Sequence, residues 1–285
     1  MDLYELRQKP HLSASSINDY IECGMLYKWG RVDRLPMEFV ADALEFGSVI
    51  HKVLAEYYQA KMIGDRMMLK DIHENFKMLW KETAEGRDDI QYSKGKNFDV
   101  LMMQGIDLLT AFHLQLPKED YRVLAIEEAF RFDIPGVPVP MIGAIDLIEE
   151  SGDSIVITDF KTSGRAYSID EVDNNMQMTV YQLAAKSNGF ADREILLKFD
   201  CLIKTIKPKA ESYYTIRTEI DEKRLIKKIQ QVWDGISKGV FVPNDTSWKH
   251  QNCAYRQVCD QWFLEGVEND QENNKSGSGL SHGGR

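Results

Sequence analysis

With 285 residues, 43% hydrophobic and 28% charged, the chain is long enough to bury a full core. It has no apolar run approaching the roughly 20 residues that a membrane helix needs. Its formal net charge of −10 argues against non-specific coating of nucleic acid, which requires clustered Lys and Arg, although "KTSGR" and "IKTIKPK" are local basic patches. The opening "MDLYELRQKPHLSASS" lacks the apolar stretch of a signal peptide, so a cytoplasmic protein is expected.

In chain order, "SASSINDYIECGMLYKWG" (13–30) starts with serines suited to capping and continues with apolar residues near the 3.6 period, which predicts one helix. "GSVIHKVLAEYYQAKM", "LKDIHENFKMLWKETA" and "FDVLMMQGIDLLTAFHLQL" predict three more, a helical subregion placed ahead of a sheet. From Tyr121 the pattern turns toward period two. "YRVLAIEEAFRFDI", "PMIGAIDLIEE" and "SIVITDFKT" read as strands separated by turn residues. "SIDEVDNNMQMTVYQLAAKSNG" predicts a capped helix ended by Asn-Gly. Strands "EILLKFDCLIKTI" and "SYYTIRTEI" follow, then the helix "DEKRLIKKIQQVWDGISKG". This order indicates an α/β or α+β core around a central mixed sheet. The polar, glycine-rich tail over 265–285 reads as disordered.

The chemistry gathers in "GAIDLIEESGDSIVITDFKTS". Residues two apart on a strand share a face, so Asp159 and Lys161 lie side by side and Phe160 points the other way. A four-residue turn over Ser151 to Ser154 places Asp146 across from Asp159. Two carboxylates held close together repel unless a proton or cation lies between them. Oxygen ligands suit Mg²⁺ or Mn²⁺, which can orient a phosphodiester and acidify a bound water, and Lys161 can orient the water or offset phosphate charge. The plain alternative is an Asp–Lys pair at a sheet edge.

A strand with Asp followed by one carrying Asp-X-Lys resembles the PD-(D/E)XK nuclease superfamily. Within it, the resemblance is to RecB-like exonucleases, including the CRISPR-associated RecB-like nucleases, and it runs from Ser13 to about Trp262. "SASSINDYIECGMLYKW" is similar to that family's opening, and "FGSVIHKVLAEYY" to its G-S-x-x-H helix, which implies that His51 is a metal ligand. "GAIDLIEE" and "ITDFKTS" match its acidic strands. "QMTVYQLAA" matches its Q-x-x-x-Y helix at Gln177 and Tyr181, which fall on one helical face near the active site. The resemblance further implies that the Phe160 carbonyl touches the metal and that Glu127 is an accessory acid.

Cys23, Cys201, Cys253 and Cys259 do not read as a disulfide framework in a reducing compartment. Family members with a carboxyl-terminal cluster carry one early cysteine and a late C-x-x-C-x-Y-x-x-x-C. Here the late segment is "HQNCAYRQVC", with His250 where the first late cysteine is expected. Cys23, His250, Cys253 and Cys259 are thus candidate ligands for a 4Fe–4S cluster with one His, a labile three-thiolate cluster, or a Cys₃His zinc site. Cys201 lies in an apolar strand and reads as core.

The resulting expectation is one restriction-endonuclease-like nuclease domain over 1–264, with a helical subregion at about 60–118 and a metal-binding segment at about 243–262. The expected activity is metal-dependent hydrolysis of DNA, foremost as an exonuclease on single-stranded ends, with catalysis by Asp146, Asp159, Lys161, Gln177 and Tyr181. An endonuclease with the same site, or a silent DNA-binding subunit of a recombination or CRISPR-type complex, is the alternative, and a protein partner from such a complex is implied.

Overall fold

A computed structural model describes residues 2–116, 119 and 121–265. The expected disordered tail lies almost wholly outside the described residues. Helices α1 (Leu3–Arg7), α2 (Ala14–Glu22) and α3 (Gly24–Tyr27) lead into a π-turn over Lys28–Val32. Strands β1 (Val40–Ala41) and β2 (Ile90–Gln91) pair in parallel and bracket α4 (Asp42–Met62) and α5 (Leu69–Ala84), and α6 (Phe98–Gln115) follows. The central sheet is β3 (Arg122–Phe132), β4 (Met141–Ser151), β5 (Ser154–Ser163), β6 (Glu194–Ile203) and β7 (Lys209–Thr215), in that spatial order. Neighbours are antiparallel except β5 and β6, whose parallel pairing requires the crossover through α7 (Ile169–Asp173) and α8 (Met176–Ala185). Helix α9 (Glu219–Ser237) closes the core.

Helices cover both faces of this mixed sheet, which is the restriction-endonuclease-like arrangement expected from the sequence. On one face Ile145, Ile157, Phe199 and Cys201 pack with Tyr181 and Ala184 of α8 and Ile229 of α9. On the other, Leu147, Phe160 and Leu202 share a core with Phe46, Ile50, Phe76, Trp80 and Leu108 from α4, α5 and α6. The helical subregion is therefore built on the same sheet that carries the acids.

A close fit in that second core is at Gly105, where a Cβ would fall 1.9 Å from the ring of Phe76. That ring is fully buried between Trp80 and Phe46 and has no room to yield. Gly105→Ala is expected to destabilise the protein by about 1–2 kcal/mol, because overpacking outweighs the gain of roughly 1 kcal/mol in helix propensity. A urea midpoint raised by this substitution would contradict the packing.

Three expectations are corrected. The helix predicted over 13–30 breaks at Cys23, whose backbone is extended, because Gly24 abuts the chain at Phe241 and Val242. A Cβ on Gly24 would stand 2.5 Å from the Val242 nitrogen, and the Gly24 N–H donates to the Val242 carbonyl at 2.9 Å. The helix predicted over 168–189 is interrupted at Asn174 and Asn175. There the buried Arg217 guanidinium donates to the carbonyls of Val172 (2.9 Å) and Asn175 (3.2 Å), and the Asn175 side chain caps α8. The last strand ends at Thr215 instead of continuing to Ile220, since Thr218 and Asp221 form a capping box that starts α9.

Candidate active site

The turn between β4 and β5 pairs Ser151 with Ser154 and places Gly152 at its first central position with φ +60°, as a type II′ hairpin turn requires. The ladder runs back to Leu147 opposite Thr158. One step further stand Asp146 and Asp159. There the Asp146 side chain takes over from the ladder: its Oδ2 accepts the Phe160 N–H at 2.8 Å.

Helix α4 crosses this end of the sheet with Gly47 beside Thr162, and one turn later His51 reaches the acids. Its Nδ1 lies 3.3 Å from Asp146 Oδ2, and its ring stands edge-on to Phe160, which in turn stacks on Tyr58. From the opposite side, β3 contributes Glu127. The pairs Ile126–Leu147 and Glu128–Ile145 put Glu127 across from Asp146, and its φ of +50° departs from strand geometry. A positive φ at a non-glycine residue is a backbone cost kept where the surroundings hold it. Ligand atoms of His51, Glu127 and Asp146 all lie within 4.8 Å of one another, the group among the described residues with such geometry.

Asp159 is fully buried beside this group. The Tyr181 hydroxyl donates to its Oδ1 at 3.1 Å, and Lys161 Nζ stands 2.8 Å from its Oδ2. Oδ2 is met by that ammonium and by no other donor among the described residues. Lys161 also donates to Gln177 Oε1 (2.8 Å), and Gln177 Nε2 donates to the Tyr181 oxygen (2.8 Å). Asp159, Lys161, Gln177 and Tyr181 thus form a closed ring in which α8 orients the sheet's lysine.

Burial and the neighbouring charges together set the titration of the site. Burial and then the charge of Asp146 raise the Glu127 carboxyl. Burial raises Asp159, with Lys161 opposing and Asp146 adding to the rise. Burial alone would lower His51 and Lys161, but Asp146 and Asp159 respectively outweigh it, and both are raised. Burial, with the charge of Asp159, holds Tyr181 as a hydroxyl well above the ordinary range. A site that draws protons onto acids and imidazole alike is one in which a cation can take their place.

A divalent cation therefore fits: the donors are two carboxylates and an imidazole, with the buried Asp159 carboxylate, met at Oδ2 only by the Lys161 ammonium, beside them. The expected residues His51, Asp146, Asp159, Phe160, Lys161, Gln177 and Tyr181 are all at this place. Glu127, only an accessory in the sequence, is drawn into the group. The signal for it was the acid pair in "AIEEAF", opposite the Asp of "GAID" in the hairpin register.

The cysteine constellation is only partly assembled. Cys23, Cys253 and Cys259 share a small cluster with Met25, Trp29 and Tyr255, and their mutual proximity helps burial to raise Cys253 and Cys259. Their thiols do not come within 4.8 Å of one another as a group, and His250 has its Nε2 2.6 Å from the Arg256 guanidinium, so the expected ligand set is not assembled. Cys201 is fully buried in the core, where desolvation pushes its thiol up to about 12.

A mixed sheet with helices on both faces and an Asp hairpin followed by Asp-X-Lys define a nuclease of the restriction-endonuclease-like class. The sequence model of the PD-(D/E)XK nuclease superfamily matches residues 11–260, and the chain belongs to that superfamily. Among solved structures, a candidate exonuclease from Eubacterium rectale superposes with a TM-score of 0.55 at 11% identity, covering 88% of this chain and 93% of that one. At that identity the likeness shows a shared fold. SSO0001, also 11% identical, covers 86% of this chain and 94% of its own, but its TM-score of 0.35 carries no argument. No curated protein matches the chain. Among the described residues no helix is long and apolar enough to cross a membrane.

Proposed function

We propose that this nuclease cuts DNA with Mg²⁺ or Mn²⁺ and acts as an exonuclease on single-stranded ends. The observation that carries the metal-dependent reading is the convergence of His51, Glu127 and Asp146 beside the Asp159–Lys161 pair. His51, Glu127, Asp146 and Asp159, with the Phe160 carbonyl, would hold the ion. When bound, it supplies Lewis-acid activation of a phosphodiester and of a water.

The remaining work falls to the chain's own groups. Lys161, raised by Asp159, remains an ammonium. It is suited to donate a hydrogen bond to the attacking water or to a phosphate oxygen, and unsuited to accept a proton. Gln177 and Tyr181 position that ammonium, and Tyr181 also holds Asp159 in one orientation. An endonuclease with the same chemistry is separated by substrate topology alone.

The 4Fe–4S or zinc site expected at Cys23, Cys253, Cys259 and His250 has only the neighbourhood of its three cysteines in its favour: their thiols do not meet within 4.8 Å, and His250 lies on Arg256. Docking onto a recombination or CRISPR-type partner has no support from this geometry.

The test combines linear and circular single-stranded DNA with Mn²⁺ or EDTA. Linear DNA alone should be degraded, and only with Mn²⁺; cleavage of circles would replace the exonuclease reading by the endonuclease one. Mn²⁺ should also raise the melting temperature of the wild type, and by several degrees less in His51→Ala and Glu127→Gln, since ligand binding to the folded state adds stability in proportion to its affinity. Equal shifts in all three proteins would remove these residues from the metal set.

A further inference from the structure

Lys161, Gln177 and Tyr181 open onto a cleft of about 1130 Å³ between the amino-terminal segment, β4 and α8. The chain carries 45 Asp and Glu against 35 Lys and Arg, yet none of the described residues lining this cleft is an acid. Its walls carry Arg7, Lys9, Arg31 and Arg34 in addition to Lys161. Arg31 is paired with Asp19 at 3.2 Å, whereas Arg7, Lys9 and Arg34 are exposed and form no ion pair among the described residues.

The wall is built in. Leu12 is fully buried, its N–H donates to the Pro140 carbonyl, and its carbonyl accepts the Ile142 N–H, each at 2.9 Å. The basic segment is thereby tied to the start of the strand that carries Asp146. Half-buried Trp233 also lines the cleft and offers a ring to a base. A basic groove with an aromatic side chain is the chemistry that holds a single strand without reading its sequence.

We infer that one strand of nucleic acid lies in this cleft, its phosphates held by Arg7, Lys9 and Arg34 and its scissile end at Lys161. The inference rests on the nuclease reading and extends it to the substrate's path. Acids excluded from one cleft of an acidic protein let the strand be drawn there while the rest of the surface repels it, which confines binding to that cleft.

The test is the salt dependence of fluorescein-labelled oligo(dT) binding, followed by anisotropy in EDTA so that nothing is cut. Neutralising three phosphate contacts in Arg7→Gln/Lys9→Gln/Arg34→Gln should lower the slope of log K against log salt by about 2, at roughly 0.7 per contact on a single strand. Affinity at low salt should fall at least tenfold. The control Lys70→Gln/Lys227→Gln/Lys228→Gln changes net charge equally at exposed positions away from the cleft and should leave the slope unchanged. Equal effects from both triples, or none from the first, would overturn the proposal, as would an equal loss for a blunt duplex. Failure of the nuclease reading is distinct: it shows as wild-type protein that cuts no DNA with Mn²⁺, or as cleavage in its preparations that survives Asp146→Asn, whatever the binding slopes do.

Discussion

Asp146→Asn is expected to lower cleavage at least about a thousandfold while leaving the protein folded, because the change removes a charge and keeps an acceptor. The Asp146 carboxylate has two duties. Its Oδ2 accepts the Phe160 N–H at 2.8 Å, which ties β4 to β5 where their ladder stops, and the same oxygen faces His51 at 3.3 Å. Asparagine can serve the first duty through its carbonyl oxygen but cannot contribute negative charge to the cation site. Lys161→Met should lose activity on a similar scale for the opposite reason. It removes a cation held in place by Gln177 and leaves Asp159 buried without its counter-charge. Single-turnover cleavage of labelled DNA, read beside thermal melts, separates the chemistry from folding. Near-wild-type rates in a folded Asp146→Asn protein would remove the hairpin from the reaction.

Lys198→Met should cost about 3–5 kcal/mol of stability at neutral pH, the scale for breaking a buried charge pair by removing one partner. The Lys198 side chain is 5% exposed and faces Glu119 at 3.3 Å, Asp200 at 3.4 Å and Glu149 at 3.9 Å, under the helices that cover the sheet. Lys61 reaches Glu149 at 2.9 Å, Ser212 donates to Asp200 at 2.6 Å and the Tyr214 hydroxyl donates to Glu119, but none of these replaces the central cation. Burial already raises Glu149 and Asp200 in the folded protein. An acid whose pKa is raised on folding binds protons more readily when folded, so its penalty is absent below the ordinary carboxylate range and grows as pH rises through it. Without Lys198 the rise is larger. The deficit measured by urea unfolding should therefore shrink as the pH is lowered from 7 toward 5, and a deficit independent of pH would show that packing, not charge, is what the lysine supplies.

Much of the site was legible because it depends on short-range geometry. Alternation put Asp159 and Lys161 on one face, and a two-residue turn at Gly152-Asp153 fixed which residue of β4 faces Asp159. The spacing of Gln177 and Tyr181 on a helix required only the 3.6 period, and their 2.8 Å hydrogen bond follows from it. Helix α5 spans Leu69–Ala84, the segment its apolar period outlines, because its buried residues recur at that spacing and no distant group interrupts them.

What escaped the sequence depends on groups far apart along the chain. The break at Cys23 is imposed by the backbone at Phe241 and Val242, and the break before α8 by Arg217, contacts that no local propensity encodes. Glu127, expected only as an accessory acid, joins His51 and Asp146 because β3 pairs with β4 in one register and accepts a positive φ there. His250 lies on Arg256, and the one early and two late thiols do not meet as a ligand group. The amino-terminal basic residues line the cleft only because Leu12 bridges to the start of β4. The sequence by itself determined the strands, their alternation and the identity of the acid–lysine hairpin, since these rest on periodicity and turn chemistry. Only the tertiary structure decided which acids, imidazole and basic side chains meet around it, since long-range packing alone sets those distances.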